Sequence, residues 1–196
     1  MTKPLRRLIL ASTSPYRRDL LRKLGLPFEC AAPRIDESRR RNESAETLAF
    51  RLAQQKAMTI AKQFSEGLII GSDQVASIDD ILIGKPGSRE AAIEQLLHAS
   101  GRTVGFHTAI CVTDAETQIS RVLVDFCQVT FRPLAEEQIE RYVDADQPYD
   151  CAGSFKSEGL GISLLERIEG NDPNALVGLP LINLISLLNS FGVHIP

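Results

Sequence analysis

Hydrophobic residues along this chain fall into two kinds of pattern. Short apolar segments predict strands at residues 8–11, 28–32 and 68–70. The last of these segments is a continuous apolar run, which is typical of a strand that is buried on both faces. Longer stretches with apolar residues every three or four positions predict helices at residues 16–24, 44–64, 88–99, 135–144 and 180–191.

The residues at the predicted helix ends support this division. Ser14 precedes Pro15, so the two are expected at the N-cap and at the first helical position. Ser44 and Ser88 are expected to cap the two following helices, and Gly25 is expected to end the first one. The first strand therefore leads through a hydroxyl-rich turn into a helix N-terminus, where N–H groups and the helix dipole favour an anion.

Further strands are predicted in the middle and second half of the chain. Residues 81–83 are expected to form a hairpin with the strand at 68–70, with Asp79 and Asp80 at its tip. Two β-rich runs, at residues 103–113 and 120–131, predict a long antiparallel ribbon. A glycine-rich segment at 151–161 precedes a predicted strand at 162–165, and a loop is expected at 171–178.

Two charged residues stand out against the hydrophobic pattern. Asp73 follows the apolar run, where a carboxylate is costly to bury unless a cation or hydrogen-bond donors meet it. Lys56 lies on the apolar face of the second helix, so its ammonium group must either reach solvent or meet an anion. Taken alone, each has an ordinary interpretation, as a solvated hairpin charge and as a lysine that reaches solvent.

Several other cations lie at the ends of predicted elements. Arg17 and Arg18 fall in the first helical turn, where cations oppose the dipole, so they indicate either a bound phosphate or simple exposure. Lys85 lies in a Gly-Lys-Pro turn, and Lys156 lies in the glycine-rich segment. The candidate ligands of a polyphosphate are therefore Arg17, Lys56, Lys85 and Lys156.

Acidic residues supply candidate ligands for a divalent cation. Asp36 and Glu37 follow a predicted strand, and their oxygens either bind a hard cation or are ordinary loop charges. Glu37 together with Asp73 could hold a cation that bridges phosphate oxygens and activates a water. Such a set of groups suits hydrolysis of a phosphoester or a phosphoanhydride, with charge stabilisation as the main catalytic contribution.

Composition narrows the possible functions. The 196 residues carry a net charge of −3, which gives no electrostatic footprint for nucleic acid. No apolar stretch is long enough to span a bilayer, and no signal peptide is recognised, so a cytoplasmic protein is expected. Its four dispersed cysteines are then expected to be reduced core residues. Walker A, dinucleotide-binding, HExxH and GxSxG motifs are absent from the sequence.

Seven segments, in order along nearly the whole chain, resemble the Maf family of nucleoside triphosphate pyrophosphatases. They are LILASTSPYRRDLL, the Asp36-Glu37 pair, AQQKA, IIGSDQV, GKP, CAGSFKSEG and VGLPL. The resemblance implies an α/β fold of the Maf and ITPase-like type. A long twisted mixed sheet flanked by helices would form one domain over residues 1–196, with two lobes around a nucleotide cleft. It also implies a homodimer that uses Mg²⁺, Mn²⁺ or Co²⁺ to hydrolyse a nucleoside triphosphate to the monophosphate and pyrophosphate.

The resemblance also assigns roles to individual residues. Asp73 matches the catalytic acidic residue that acts as base for the attacking water. Glu37 is assigned to the metal together with Asp73, and Asp36 is the nearest substitute. The remaining matches, assigned to the phosphates or to the surrounding loop, are Ser12, Arg17, Lys56 and Lys85.

Three positions define the branch within the family, and here they are Tyr16, Gln74 and Glu158. Members that act on dTTP and UTP carry a basic residue in place of Tyr16, Thr in place of Gln74 and Gln in place of Glu158. The residues of this chain instead resemble those of the 7-methyl-GTP pyrophosphatase branch. Methylation at N7 makes guanine cationic, so an aromatic ring can stack on it and a carboxylate can pair with it. The expected role is removal of the modified nucleotide before it enters nucleic acid. The alternatives are a dTTP/UTP or deaminated-purine pyrophosphatase and a nucleotide-binding regulator without catalysis.

Overall fold

The computed structural model describes residues 6–195, and within them the chain forms two compact units. The first unit contains the described residues up to Asp73, together with Thr108–Asp125 and the chain from Asp172 onward. The second unit contains Gln74–His107 and Phe126–Asn171. No helix in residues 6–195 combines the length and apolar character needed to cross a membrane.

Seven strands in the described residues form one mixed sheet. They are β1 Leu8–Ala11, β2 Glu29–Ala31, β3 Leu68–Ile78, β4 Ile81–Ile83, β5 Thr103–Asp114, β6 Ser120–Phe131 and β7 Leu165–Gly170. Their order is β2-β1-β3-β5-β6-β7, with β4 paired to β3. β1 runs parallel to β2 and β3, whereas β4 and β7 run antiparallel to β3 and β6. The mixed α/β architecture expected from the sequence is confirmed.

Five α-helices accompany these strands in the described part of the chain. They are α1 Pro15–Arg22, α2 Ala45–Ala61, α3 Arg89–Ala99, α4 Glu136–Asp146 and α5 Leu181–Ser190. The three predicted serine caps are confirmed, since each hydroxyl accepts a hydrogen bond from the N–H three residues further on. The predicted hairpin tip is also confirmed, because Asp79 and Asp80 both have positive φ and lie between β3 and β4.

The core of the first unit is formed by strands that are apolar on both faces. Leu8 and Leu10 of β1 and Leu68 and Ile70 of β3 pack in one cluster with buried leucines of α1 and α5. Ile9 and Ile69, which point to the opposite face, are fully buried as well. This core supports the start of β3 and the N-terminal end of α1, where several candidate site residues lie.

β3 is longer than its hydrophobic pattern predicts. The apolar run covers only its first three residues, yet the strand continues to Ile78, so Asp73 lies within it and not after its end. The expectation that Asp73 follows the strand is wrong for a physical reason: the Asp73 carboxylate is buried against a lysine, described below, so it does not end the strand.

The strand predicted at residues 162–165 is also wrong. Leu160–Leu164 is a short 3-10 helix, and β7 begins at Leu165. Close backbone packing explains the turn, because a Cβ on Gly161 would lie 2.5 Å from the Lys156 carbonyl oxygen. The hydrophobic pattern does not predict β7, because all its residues after Leu165 are exposed.

The buried residues of α3 are Ala92, Leu96 and Ala99. The expectation that all four cysteines lie in the core fails in part. Cys111 and Cys127 are buried, as predicted for core cysteines, whereas Cys30 is exposed.

Candidate functional site

A close approach of β3 to α2 determines the geometry of the site in the first unit. A Cβ on Gly71 would lie 2.3 Å from the Ala53 carbonyl oxygen and 2.9 Å from the Ala57 Cβ, so the strand backbone lies directly on the helix. Ala53 and Ala57 are fully buried at this contact. Lys56 precedes Ala57 on the helix, and Asp73 lies two residues beyond Gly71 on the strand. The small residues therefore bring a lysine next to an aspartate.

Lys56 contacts two carboxylates. Its Nζ lies 2.6 Å from Asp73 Oδ1 and 2.8 Å from Glu37 Oε1. Lys56 and Asp73 are both buried, whereas the Glu37 side chain is 56% exposed. Of the two outcomes predicted for Lys56, reaching solvent or meeting an anion, the structure shows the second. These three residues form a cluster with one cation and two anions.

Arg17 adds a second cation near this cluster. Its backbone N–H donates to the Ser14 Oγ, and its side-chain Nε donates to the Gly178 carbonyl oxygen at 2.9 Å. Burial lowers the pKa of Arg17, while the charges of Asp73 and Glu37 act to raise it. The guanidinium remains protonated at any physiological pH because an arginine starts from so high a pKa. Arg17 and Lys56 together balance the two carboxylates.

Ser12 shapes the turn between β1 and α1. Its side chain is buried, and its Oγ accepts a hydrogen bond from the Ser14 N–H at 3.1 Å. Tyr16, in the first turn of α1, is half-buried. Both residues therefore belong to the same helix N-terminus as Arg17, as the sequence predicts.

Two residues that received no role from the sequence hold Arg17 in place. The Gly178 carbonyl oxygen accepts from Arg17 Nε and also from the Ser72 hydroxyl at 3.0 Å. Ser72 is fully buried, and Gly178 has a φ of 118°, which only glycine adopts easily. Ser72 lies in the segment IIGSDQV and Gly178 in VGLPL, so their place in these segments was the only signal.

The remaining predicted residues lie in the second unit. Lys85 is exposed in the turn after β4, and Gln74 is half-buried on β3. The Lys156 backbone N–H donates to the Tyr142 hydroxyl, and its Nζ donates to the Asp146 carbonyl oxygen at 2.7 Å. Glu158 is exposed, and its carboxylate accepts from the Ser157 hydroxyl. The assignment of these four residues to the substrate remains a prediction.

The carboxylates suit a cation that is shared with a ligand better than a metal held by protein alone. Within residues 6–195, no group of three or more histidine, cysteine, aspartate or glutamate side chains is arranged to hold a metal ion. Glu37 and Asp73, however, both reach one ammonium group. Mg²⁺ typically binds one or two carboxylates and completes its shell with water and phosphate oxygens. The pair therefore fits a divalent cation that arrives with a phosphate ligand.

Comparison with known proteins gives a consistent result. The family described as Maf-like protein matches residues 7–191. A 7-methyl-GTP pyrophosphatase of Alcanivorax borkumensis is 54% identical over 100% of both chains. Proteins of the same name are 50% identical in Pseudoalteromonas atlantica, over 96% of this chain and 97% of the relative, and 52% identical in Pseudomonas aeruginosa, over 96% and 98%.

Among solved structures, the Staphylococcus aureus Ham1 protein is similar with a TM-score of 0.47 at 15% identity. That similarity covers 94% of this chain and 97% of the other, but it is too weak to assign the fold.

Proposed function

This chain belongs to the Maf-like protein family, and we propose that it is a pyrophosphatase that hydrolyses 7-methyl-GTP to 7-methyl-GMP and pyrophosphate. The observation that carries the proposal is the contact of buried Lys56 with both Asp73 and Glu37, within electrostatic range of Arg17. Relatives about as long as this chain and about half identical to it carry the name of this activity.

The proposed roles of the residues in the first unit follow from their charges. Asp73 accepts the proton of the attacking water, and Arg17 and Lys56 neutralise the charge that develops on the phosphates. The Ser12 hydroxyl accepts from the Ser14 N–H, which leaves its own O–H to donate to a phosphate oxygen at the N-terminus of α1. Lys85 and Lys156 contribute further positive charge to the substrate.

A divalent cation completes this chemistry. Arg17 and Lys56 together match only the charges of Glu37 and Asp73, so the charge of a bound triphosphate requires a further cation. Glu37 and Asp73 would hold Mg²⁺, Mn²⁺ or Co²⁺, and the bound cation supplies Lewis acidity and charge neutralisation. Asp36 is less suited to this role, because both its oxygens accept hydrogen bonds from Ser38.

Three residues set the preference for the methylated base. Tyr16 offers an aromatic face to the cationic ring, and Glu158 offers a carboxylate to its positive charge or its N–H groups. Gln74 supplies amide hydrogen bonds to the base. We further propose that the protein acts in the cytoplasm as a homodimer on free nucleotides, without a nucleic-acid or membrane partner.

Product analysis on a nucleotide panel tests the reaction. Purified protein is incubated with 7-methyl-GTP, GTP, dTTP, UTP and ITP in the presence of Mg²⁺, Mn²⁺ or Co²⁺, and released pyrophosphate and phosphate are measured separately. Pyrophosphate release that is fastest with 7-methyl-GTP supports the proposal. Phosphate as the product would overturn the assigned reaction class. Equal turnover of dTTP and 7-methyl-GTP would overturn the assigned substrate.

Glu158→Gln tests the basis of the preference. Because only the methylated base is cationic, the substitution should lower kcat/KM for 7-methyl-GTP at least about tenfold, and much less for GTP. Glu166→Gln, which alters an exposed carboxylate on β7, is the matched control. An equal loss for 7-methyl-GTP and ITP in Glu158→Gln would favour a deaminated-purine pyrophosphatase instead.

A further inference from the structure

The segment that carries Glu37 is attached to α2 by a bidentate ion pair, in addition to the contact between Glu37 and Lys56. Arg51 Nε lies 2.6 Å from Glu43 Oε1, and Arg51 Nη2 lies 2.8 Å from Glu43 Oε2. Such a paired arrangement fixes direction as well as distance. Glu43 immediately precedes the helix cap Ser44, and Arg51 lies on α2 itself.

Arg51 also contacts the residue next to Glu37. Its Nη2 donates to the Ser38 carbonyl oxygen at 2.9 Å, while its Nη1 donates to Gln55 Oε1 at 3.0 Å. One guanidinium therefore binds both ends of the loop between Ser38 and Glu43. The Ser38 end is itself rigid, because Asp36 accepts from the Ser38 N–H and from its hydroxyl.

The ion pair is well shielded from water. The side chains of Arg51 and Glu43 are only 13% and 9% exposed, whereas Glu37 is 56% exposed. Hydrogen bonds from Arg51 lower the pKa of Glu43 to about 2, so this carboxylate is ionised at neutral pH. The Glu37 carboxylate contacts buried Lys56 from a largely exposed position, and the Glu43–Arg51 pair attaches the neighbouring backbone to α2.

We propose that Glu43 and Arg51 are positioning residues that hold Glu37 where its carboxylate can share a divalent cation with Asp73. The inference rests on the proposed function, in which Glu37 and Asp73 bind that cation. Neither Glu43 nor Arg51 needs to contact substrate, because both act through the backbone of residues 37 and 38. Residues that orient metal ligands in this way typically contribute about 10- to 100-fold to metal affinity.

Direct measurement of Mn²⁺ binding tests this role without relying on turnover. The electron paramagnetic resonance signal of unbound Mn²⁺, recorded with protein and a non-hydrolysable 7-methyl-GTP analogue and compared with the analogue alone, gives the dissociation constant of Mn²⁺ for the wild type, Arg51→Lys and Glu43→Gln. Arg51→Lys keeps the positive charge but loses the planar pair of donors, and Glu43→Gln removes the negative charge of its partner. Both variants should therefore bind Mn²⁺ about tenfold more weakly. Arg89→Lys is the matched control, because Arg89 forms the same bidentate pair with Asp144 in the second unit. It should bind Mn²⁺ like the wild type.

A double-mutant cycle with Glu37→Gln separates positioning from general stability. If Arg51 acts through Glu37, adding Arg51→Lys to Glu37→Gln should weaken Mn²⁺ binding no further. Thermal unfolding of each variant shows whether the protein is folded under the conditions of the titration.

Three results would overturn the positioning role. The first is that folded Arg51→Lys binds Mn²⁺ as tightly as the wild type. The second is that the losses of Mn²⁺ affinity from Arg51→Lys and Glu37→Gln add in the double variant. The third is that Glu37→Gln alone does not weaken Mn²⁺ binding. Failure of the proposed function is read separately, as the absence of pyrophosphate release from every nucleotide in the panel.

Discussion

The ammonium group of Lys56 lies 2.6 Å from the carboxylate of Asp73, and both side chains are at least nine-tenths buried. Each charge is tolerated because the other is present, since an unpaired buried charge is strongly unfavourable. Lys56→Met would leave the buried Asp73 carboxylate without its cation, at a cost of about 3 kcal/mol in the free energy of unfolding. Denaturant unfolding at pH 7 measures this loss, with Lys62→Met at an exposed position near the end of α2 as control. Equal stability of the two variants would contradict the pairing.

Gly71→Ala tests the close contact that brings this pair together. The added methyl group would lie 2.3 Å from the Ala53 carbonyl oxygen, so β3 and α2 must move apart. We expect a loss of about 2–3 kcal/mol in the free energy of unfolding, together with reduced turnover because Lys56 and Asp73 separate. Gly84→Ala is the control for stability, since a Cβ there has no heavy atom within 4 Å. A Gly71→Ala protein as stable and active as Gly84→Ala would show that the contact is not required.

Ser72→Ala tests how Arg17 is held. It removes one of the two hydrogen bonds accepted by the Gly178 carbonyl oxygen, which should lower the free energy of unfolding by about 1 kcal/mol. Because Ser72 is fully buried and shares the Gly178 carbonyl oxygen with Arg17, which balances charge that develops on the phosphates, we expect kcat to fall severalfold with a smaller change in KM. Steady-state kinetics with 7-methyl-GTP measure both constants. Ser186→Ala removes an exposed hydroxyl on α5 and should change neither; a matching result for Ser72→Ala would remove its positioning role.

Asp125→Asn tests a buried carboxylate outside the proposed site. Asp125 is 5% exposed, and its Oδ1 has no hydrogen-bond partner within the described residues. Burial, and to a lesser extent the charge of Asp172, raise the pKa of Asp125 above its ordinary value. A raised pKa in the folded state means that this group's contribution to stability is fully present below the unfolded pKa. That contribution is lost as pH rises through the folded pKa.

Asp125→Asn should therefore raise the thermal unfolding midpoint at pH 8 and have a smaller effect at pH 4. Midpoints measured across this pH range, with Asp80→Asn at an exposed turn position as control, show whether the difference grows with pH. A constant difference between variant and wild type would contradict the raised pKa of Asp125.

Local patterns predicted much of this fold. The Ser14, Ser44 and Ser88 caps and the Asp79-Asp80 turn depend on neighbouring residues only, so sequence reasoning found them. The anomalous place of Lys56 on the apolar stripe of α2 is also a local property, but the choice between solvent and an anion required the fold. β7 was not predicted because only one residue after Leu165, Ile168, is apolar, and its pairing with β6 depends on contacts distant in sequence.

The site was predicted unevenly for the same reason. Lys56 and Asp73 could be identified as candidate site residues because each is anomalous in its own segment. Glu43 and Arg51 did not, because nothing in either segment shows that the two side chains meet. Ser72 and Gly178 are separated by more than 100 positions, and only the folded chain brings the hydroxyl to the carbonyl oxygen.

Asp73→Asn tests the central claim most directly, because the proposal needs a proton acceptor at this position and nucleotide binding alone does not. Turnover of 7-methyl-GTP and binding of a non-hydrolysable analogue are measured side by side for Asp73→Asn, the wild type and Asp80→Asn, after thermal unfolding confirms that each is folded. We predict that Asp73→Asn loses at least about 100-fold in kcat while still binding the analogue. Turnover at the wild-type rate in folded Asp73→Asn would contradict the account.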